Sequence, residues 1–317
     1  MTDLLRTIYD VNTPILLGLA LGALYGHYFK PDVRQLSRLC IYLLGPCLAF
    51  EGIINADISG AGLAQIAMLA FLGSAAMAVI GLGLARSLRL DRRQEGGFMM
   101  CVVCYNTGTY GIPFNEFAFG LAGRQIAVVY FTMMLLVTNT LGVFLASRGS
   151  GKSLTAGLMN VARLPTVYAA VIGLILNFSG VSLVTDTNGL ASGSWTVPLP
   201  LARTIHLLAA ASIPVMLVQL GAQLEQSRFT IRRLRWVLLA SFTTLLIAPL
   251  VAAALSIPLG LTGLYRQVGI LQFGMPTAIL AGIFATEFGS DSEFVTSVIM
   301  VSTFASVLTL SLLLQFV

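Results

Sequence analysis

Apolar residues run along this chain in stretches of about twenty, separated by short joints that hold most of its charge. A helix rises about 1.5 Å per residue, so each stretch matches a hydrocarbon core of about 30 Å. Breaking the runs at their charged and Gly/Pro-rich joints predicts ten helices, at 12–29, 36–55, 61–87, 95–120, 124–147, 163–180, 200–225, 234–256, 266–289 and 292–316. Nowhere do apolar and polar residues alternate in the ten-residue segments of an outer-membrane barrel. The first run is preceded by Asp3, Arg6 and Asp10 and has no small-residue cleavage site after it, so it reads as a retained span and not as a signal peptide.

Composition agrees: 57% of the 317 residues are hydrophobic and 10% charged, against about 25% charged in soluble proteins. The expected class is an all-α integral membrane protein. Of its eighteen Lys and Arg, fourteen fall in the joints at 30–38, 86–93, 148–163 and 228–235, leaving Arg6, Arg124, Arg203 and Arg266 for the opposite side. Basic residues collect on the cytoplasmic side, which predicts both termini outside a bacterial inner (plasma) membrane. The net charge of +5 is then accounted for by the inner face and calls for no acidic partner or nucleic acid. Cys40, Cys47, Cys101 and Cys104 all fall inside predicted spans; with no histidine near "CVVC", they read as buried filler, and no metal is expected.

The chain repeats itself. "RQEGG" from Arg93 opens the fourth run and "RQVGI" from Arg266 the ninth, while "FAFG" ending at Gly120 and "TEFG" ending at Gly289 close them. Pro46, Glu51 and Asn55 in the second run match Pro214, Gln219 and Gln223 in the seventh, each 168 residues apart. Pro14 and Gly22 match Pro165 and Gly173. The expected organisation is a five-helix repeat over 1–147, a cytoplasmic joint over 148–162 and a second repeat over 163–317, inverted because five is odd.

Two of the matched runs contain helix breakers. In the fourth, Gly108, Gly111 and Pro113 are interleaved with Asn106, Thr107, Thr109 and Tyr110; in the ninth, "QFGMPTA" supplies Gln272, Gly274, Met275, Pro276 and Thr277. Within a bilayer, an interrupted helix is tolerated only where protein or a water-filled cavity covers it. Paired interruptions at matching places point to a transporter's substrate site, and a restarting helix offers partial positive charge to an anion. Kinks that serve packing alone are the plainer alternative. The expected substrate-binding residues are Asn106, Thr107, Gly108, Tyr110, Gly111, Pro113, Gln272, Met275, Pro276 and Thr277.

The run "NTGTYGIPF" at 106–114, followed by Phe119 and Gly120, resembles the fourth-span signature of the auxin efflux carrier family, whose bacterial members include carriers of malonate and malate. "MPTAILAGIFATEFGSD" resembles its ninth span, and "VIMVSTFASVLTL", with Ser302, Thr303, Ser306 and Thr309, its tenth. The resemblance implies the fold of bile acid symporters and sodium/proton antiporters. In that fold the fourth and ninth helices unwind and cross, panel and core domains are formed jointly by both repeats, and transport is elevator-like. The long cytoplasmic loop of the plant carriers is lacking. Two departures stand out: Thr107 falls opposite Pro276, and Met275 replaces the polar residue that would mirror Asn106.

Glu51 lies inside the second run, where an ionised carboxylate costs about 2.5–3.5 kcal/mol. Either it titrates during transport or coordinates a cation with Asn55, or it is a neutral, hydrogen-bonded group near the outer end of its helix. Gln219, Gln223, Ser302 and Ser306 complete the candidates for coupling or ion binding; Glu116 and Glu287 read as solvated, and His206 as a packing residue. No catalytic motif is present, so no enzyme is expected. The expected function is secondary active transport of a small organic anion, a mono- or dicarboxylate, by symport or uniport. No cofactor is needed; the coupling ion, where there is one, is H+ or Na+, and a homodimer is compatible with the plan. A membrane sensor and a channel are the alternatives. The orientation is directly testable: in a cysteine-free variant, a single cysteine in the 226–235 joint should react with an impermeant thiol reagent from the cytoplasmic side only, and reaction from outside would overturn the topology.

Overall fold

The computed structural model describes residues 2–142, 163–184, 196–227, 233–287 and 289–317. Among the described residues, seven helices are long and apolar enough to cross a membrane: α1 (Leu5–Phe29), α2 (Val33–Ile54), α3 (Gly60–Ser87), α5 (Gly111–Leu141), α7 (Leu199–Gln226), α8 (Leu234–Ser256) and α11 (Ser292–Leu313). Between them lie the shorter α4 (Arg92–Val103), α6 (Pro165–Phe178), α9 (Gly263–Phe273) and α10 (Ile279–Glu287). Among the described residues there is no strand, only isolated bridges. The expected joint at 148–162 lies outside the described residues.

The run expected at 95–120 is divided: α4 ends at Val103, and the chain becomes helical again at Gly111. The 266–289 run is likewise split between α9 and α10. The joint expected between the fourth and fifth runs is a kink inside α5 at Gly120, with φ 68° and ψ −154°, a conformation essentially confined to glycine.

Proline shapes three of the other helices. A turn of π-helix covers Ile8–Asn12 in α1, Cys40–Leu44 in α2 and Thr243–Ile247 in α8, two residues before Pro14, Pro46 and Pro249 respectively. Proline donates no backbone hydrogen bond and its ring crowds the carbonyl four residues back, and the widened turn relieves both problems. Start signals are conventional. The Asp32, Ser59, Asp91 and Asp291 side chains accept first-turn amides, and Asp91 forms a reciprocal capping box with Gln94.

Two packing groups result. Helix α1 lies along α7, and α2 packs on both α6 and α7. The other group joins α3, α4, α5 and α8 to α11, with α5 against α3 and α9, and α11 against α8, α4 and α10. The groups meet chiefly where α2 packs on α5. Small residues bring α1 and α7 together: Gly22 lies against the Val218 backbone, Gly26 against the Ala222 backbone, and Gly221 against the Leu19 carbonyl. This spacing of small residues lets membrane helices approach backbone to backbone. Large apolar side chains stay exposed along α1 and α6, such as Leu21 and Ile175, as a hydrocarbon surround allows.

A Cβ at Gly22 would overlap the Val218 carbonyl oxygen, whereas one at Gly83 would meet nothing within 4 Å. Gly22→Val should therefore lower the melting temperature of the detergent-purified protein by several degrees, about the effect of 1–3 kcal/mol of overpacking. Gly83→Ala should leave it unchanged or raise it.

Candidate functional site

The interruptions of the two split runs cross each other. After α4, Cys104 is extended, with φ −99° and ψ 97°, and Tyr105 forms an antiparallel bridge with Thr277. The Asn106 amide donates to the Pro276 carbonyl at 2.7 Å, and the Ala278 amide to the Cys104 carbonyl at 2.8 Å. Two broken helices thus repair part of each other's backbone, as burial requires. The Thr277 hydroxyl donates to the Cys101 carbonyl at 3.0 Å, and its amide to Ser302 Oγ at 3.2 Å. Pro113 falls at the third residue of α5, where no intrahelical acceptor awaits an amide, so its missing N–H costs nothing there.

A cavity of about 190 Å³ lies beside the crossover. Its walls are Asn106, Thr107, Gly108 and Thr109 from the first break, Ala278 to Leu280 at the start of α10, and residues of α2, α5 and α7. Cys40 and Ile41 belong to the π-turn of α2, while Thr138 and Asn139 belong to a similar turn that ends α5. Asn106 is 5% exposed; its Oδ1 accepts from Thr109 Oγ1 at 2.5 Å, and its Nδ2 has no partner. Across the cavity, Gln219 Nε2 donates to Ser37 Oγ at 2.8 Å, while its Oε1 is buried and unpartnered. Among the described residues, no Lys, Arg, His, Asp or Glu lines the walls. The positive end of a helix dipole reaches the cavity at the start of α10, where Ile279 and Leu280 line the wall; the first amides of α5 are taken up by the Asn106, Gly108 and Tyr110 carbonyls.

Of the residues expected at the site, the cavity brings together Asn106, Thr107, Gly108 and Gln219. Tyr110, Gly111, Pro113, Gln272, Met275, Pro276 and Thr277 are buried but do not line it. They support the crossover from behind. Gln272 donates to the Ala127 carbonyl at 3.2 Å, and its Oε1 lies so close to Gly111 that a Cβ there would collide. Ser302 holds Thr277, and Ser306 donates to the Thr303 carbonyl in its own helix.

Glu51 lies away from the cavity, 8% exposed, with Oε2 2.5 Å from Arg124 Nη2 and Oε1 2.5 Å from His206 Nδ1. Glu116 stands 3.6 Å from Arg124. Asn55 does not join Glu51: its amide exchanges two hydrogen bonds with the Leu183 backbone and so fastens the segment after α6. Gln223 is partly buried with Oε1 unpartnered, also outside the cavity. The sequence reading did not foresee Arg124 and His206 as partners. A buried carboxylate needs a countercharge, and Arg124 was one of only four basic residues on the predicted outer side. The four cysteines are free thiols, and Cys40 lines the cavity. The side chain of Glu287 lies outside the described residues.

A second cavity, about 420 Å³ and polar, lies between the starts of α4 and α11. Asp91 and Asp291 already cap those helices, and Arg233 pairs with Asp291.

A family profile described as membrane transport protein matches residues 7–314. The chain belongs to the membrane transport protein family. This is the auxin efflux carrier family that the crossover segments resemble. An uncharacterized transporter of Methanothermobacter thermautotrophicus is 30% identical to the chain over 311 residues, covering 97% of this chain and 96% of that protein. An uncharacterized transporter of Methanocaldococcus jannaschii is 22% identical over 294 residues, covering 91% of each. The protein is a multi-pass membrane transporter and not an enzyme.

If Asn106 Nδ2 contacts a bound anion, Asn106→Ala removes a hydrogen bond to a charged group, worth about 1.5–3 kcal/mol. Apparent affinity for the best carboxylate should fall about 10- to 100-fold, with the melting temperature preserved. Thr277→Val, which removes a support behind the crossover, should weaken transport with a smaller change in affinity. Wild-type transport by both variants would return the interruptions to a packing role.

Proposed function

We propose that this transporter carries a small organic anion, a mono- or dicarboxylate, by secondary active transport, with the anion held at the crossover of the broken fourth and ninth spans. The observation that carries the proposal is the unpaired Asn106 Nδ2, on a residue that shares the cavity wall with the start of α10. An amide donor and a helix N-terminus suit a carboxylate.

Alternating access is elevator-like: the group containing α3 to α5 and α8 to α11 moves against α1, α2, α6 and α7. A ten-span plan of two inverted repeats is supported by the breaks themselves and by left-handed residues at matching places. Lys30 and Gly180 follow α1 and α6, Arg89 and Gly260 follow α3 and α8, and Gly120 and Gly289 end the two split runs. The basic joints support a cytoplasmic 226–235 segment, both termini outside, and a bacterial inner membrane. The coupling ion, in a symporter, is H+ or Na+.

Purified protein should first be screened for thermal stabilisation by a panel of mono- and dicarboxylates. The best ligand should then show saturable uptake into proteoliposomes and counterflow against preloaded substrate. Flux without saturation would identify a channel instead, and stabilisation without uptake a sensor.

A further inference from the structure

Three helices carry both the cavity and the ion cluster around the buried Glu51–Arg124 pair. On α2 the cavity is lined by Ser37, Cys40, Ile41 and Gly45, and the cluster contributes Glu51. On α5 the cavity residues include Phe131 and Thr138, and the cluster residues are Glu116 and Arg124. On α7 they are Met216 and Gln219 against His206. From Ser37 to Glu51, from Thr138 to Arg124 and from Gln219 to His206 is about 20 Å each at 1.5 Å per residue. The cavity and the cluster therefore occupy opposite ends of one interface. Between them the helices are in close contact: Gly52 faces Val128, and the Ser212 hydroxyl donates to the Leu44 carbonyl at 3.0 Å.

We infer that Arg124, Glu51, Glu116 and His206 form an outer latch, which closes the far end of the α2–α5–α7 interface while the cavity end is accessible and must release for the site to reach the other side. The inference rests on the alternating-access reading above. Its basis is the Arg124–Glu51 pair, which crosses between packing groups, with Glu116 supporting Arg124 from its own helix and His206 supporting Glu51 from α7. Arg124 and Glu116 belong to α5, whereas Glu51 and His206 belong to α2 and α7. Arg124 is 13% exposed and Glu51 9% in their side chains, so this contact is buried. Relative motion of the two groups cannot preserve it.

Among the described residues no ion pair crosses between the packing groups at the cavity end. There α7 reaches α2, within one group, through the Gln219–Ser37 hydrogen bond between neutral side chains, and Gln219 stands 168 residues after Glu51 in the repeat. The charged contact between the groups lies at the Glu51 end. The latch consequently favours the conformer seen here, closed at the Glu51 end.

Two single-cysteine reporters in a cysteine-free background test this in vesicles of both orientations, with an impermeant thiol reagent. One is Val128→Cys, in the closed stretch; the other is Asn139→Cys, at the cavity. Removing the latch with Arg124→Gln or with Glu51→Gln should raise labelling of residue 128 from the outer side about tenfold and lower labelling of residue 139 from the inner side.

Unchanged labelling in folded variants would overturn the latch, as would a parallel rise at both reporters, which marks loosening in place of a shift between conformers. Counterflow measured on the parent protein separates the underlying reading. Absent flux with reciprocal labelling would leave a latch in a protein that does not carry substrate, whereas intact flux with unresponsive labelling would reject the latch alone.

Discussion

Backbone hydrogen bonding is the constraint on which the rest of this structure depends. A polypeptide inside a bilayer cannot leave its amides and carbonyls to water, yet α4 and α9 both stop in the interior of the protein. The reciprocal bonds from Asn106 to Pro276 and from Ala278 to Cys104 make this possible. Each interruption is the other's partner. That mutual dependence fixes the two interruptions beside one another, which is why a single cavity receives Asn106 to Thr109 from one and the start of α10 from the other.

The surroundings divide into parts built for rigidity and parts built with less. Helices α1 and α7 meet through Gly22, Gly26 and Gly221 at backbone distance, which makes that pair a firm support for α2. Against it, α2 carries a π-turn at Cys40–Leu44 and α5 another at its end, both in the cavity wall. A π-turn replaces the regular hydrogen-bond ladder and redirects side chains. Pro46 imposes the first of these, so the wall is shaped by a backbone defect at a fixed address in the sequence.

Much of this was legible in the residues. The breaks at 106–113 and 274–277 were visible because Gly, Pro and polar side chains interrupt otherwise apolar runs, and in those two places the chain is non-helical between Val103 and Gly111 and between Phe273 and Ile279. The glycine contacts of α1 and α7 were legible too, as Gly18, Gly22 and Gly26 recur every four residues, though the repeat drew attention to Gly22 alone. What remained hidden was proximity across long separations. Glu51 and Arg124 are 73 residues apart and Glu51 and His206 155, and an apolar helix does not announce which neighbour its one carboxylate faces. For the same reason Gln272 and Thr277 were expected at the cavity, whereas their side chains turn into the protein, toward the Ala127 and Cys101 carbonyls.

The uncharged cavity wall has a consequence for how the protein responds to acid. A peptide dipole does not titrate, so the pull that the start of α10 would exert on an anion would not vary with the acidity on either side. Among the described residues the wall holds no carboxylate, imidazole or amine group, which leaves the charge state of a visitor to the visitor. A weak acid would enter as whichever species the adjoining compartment supplies, and the distribution of that acid between two compartments would become part of what such a site selects.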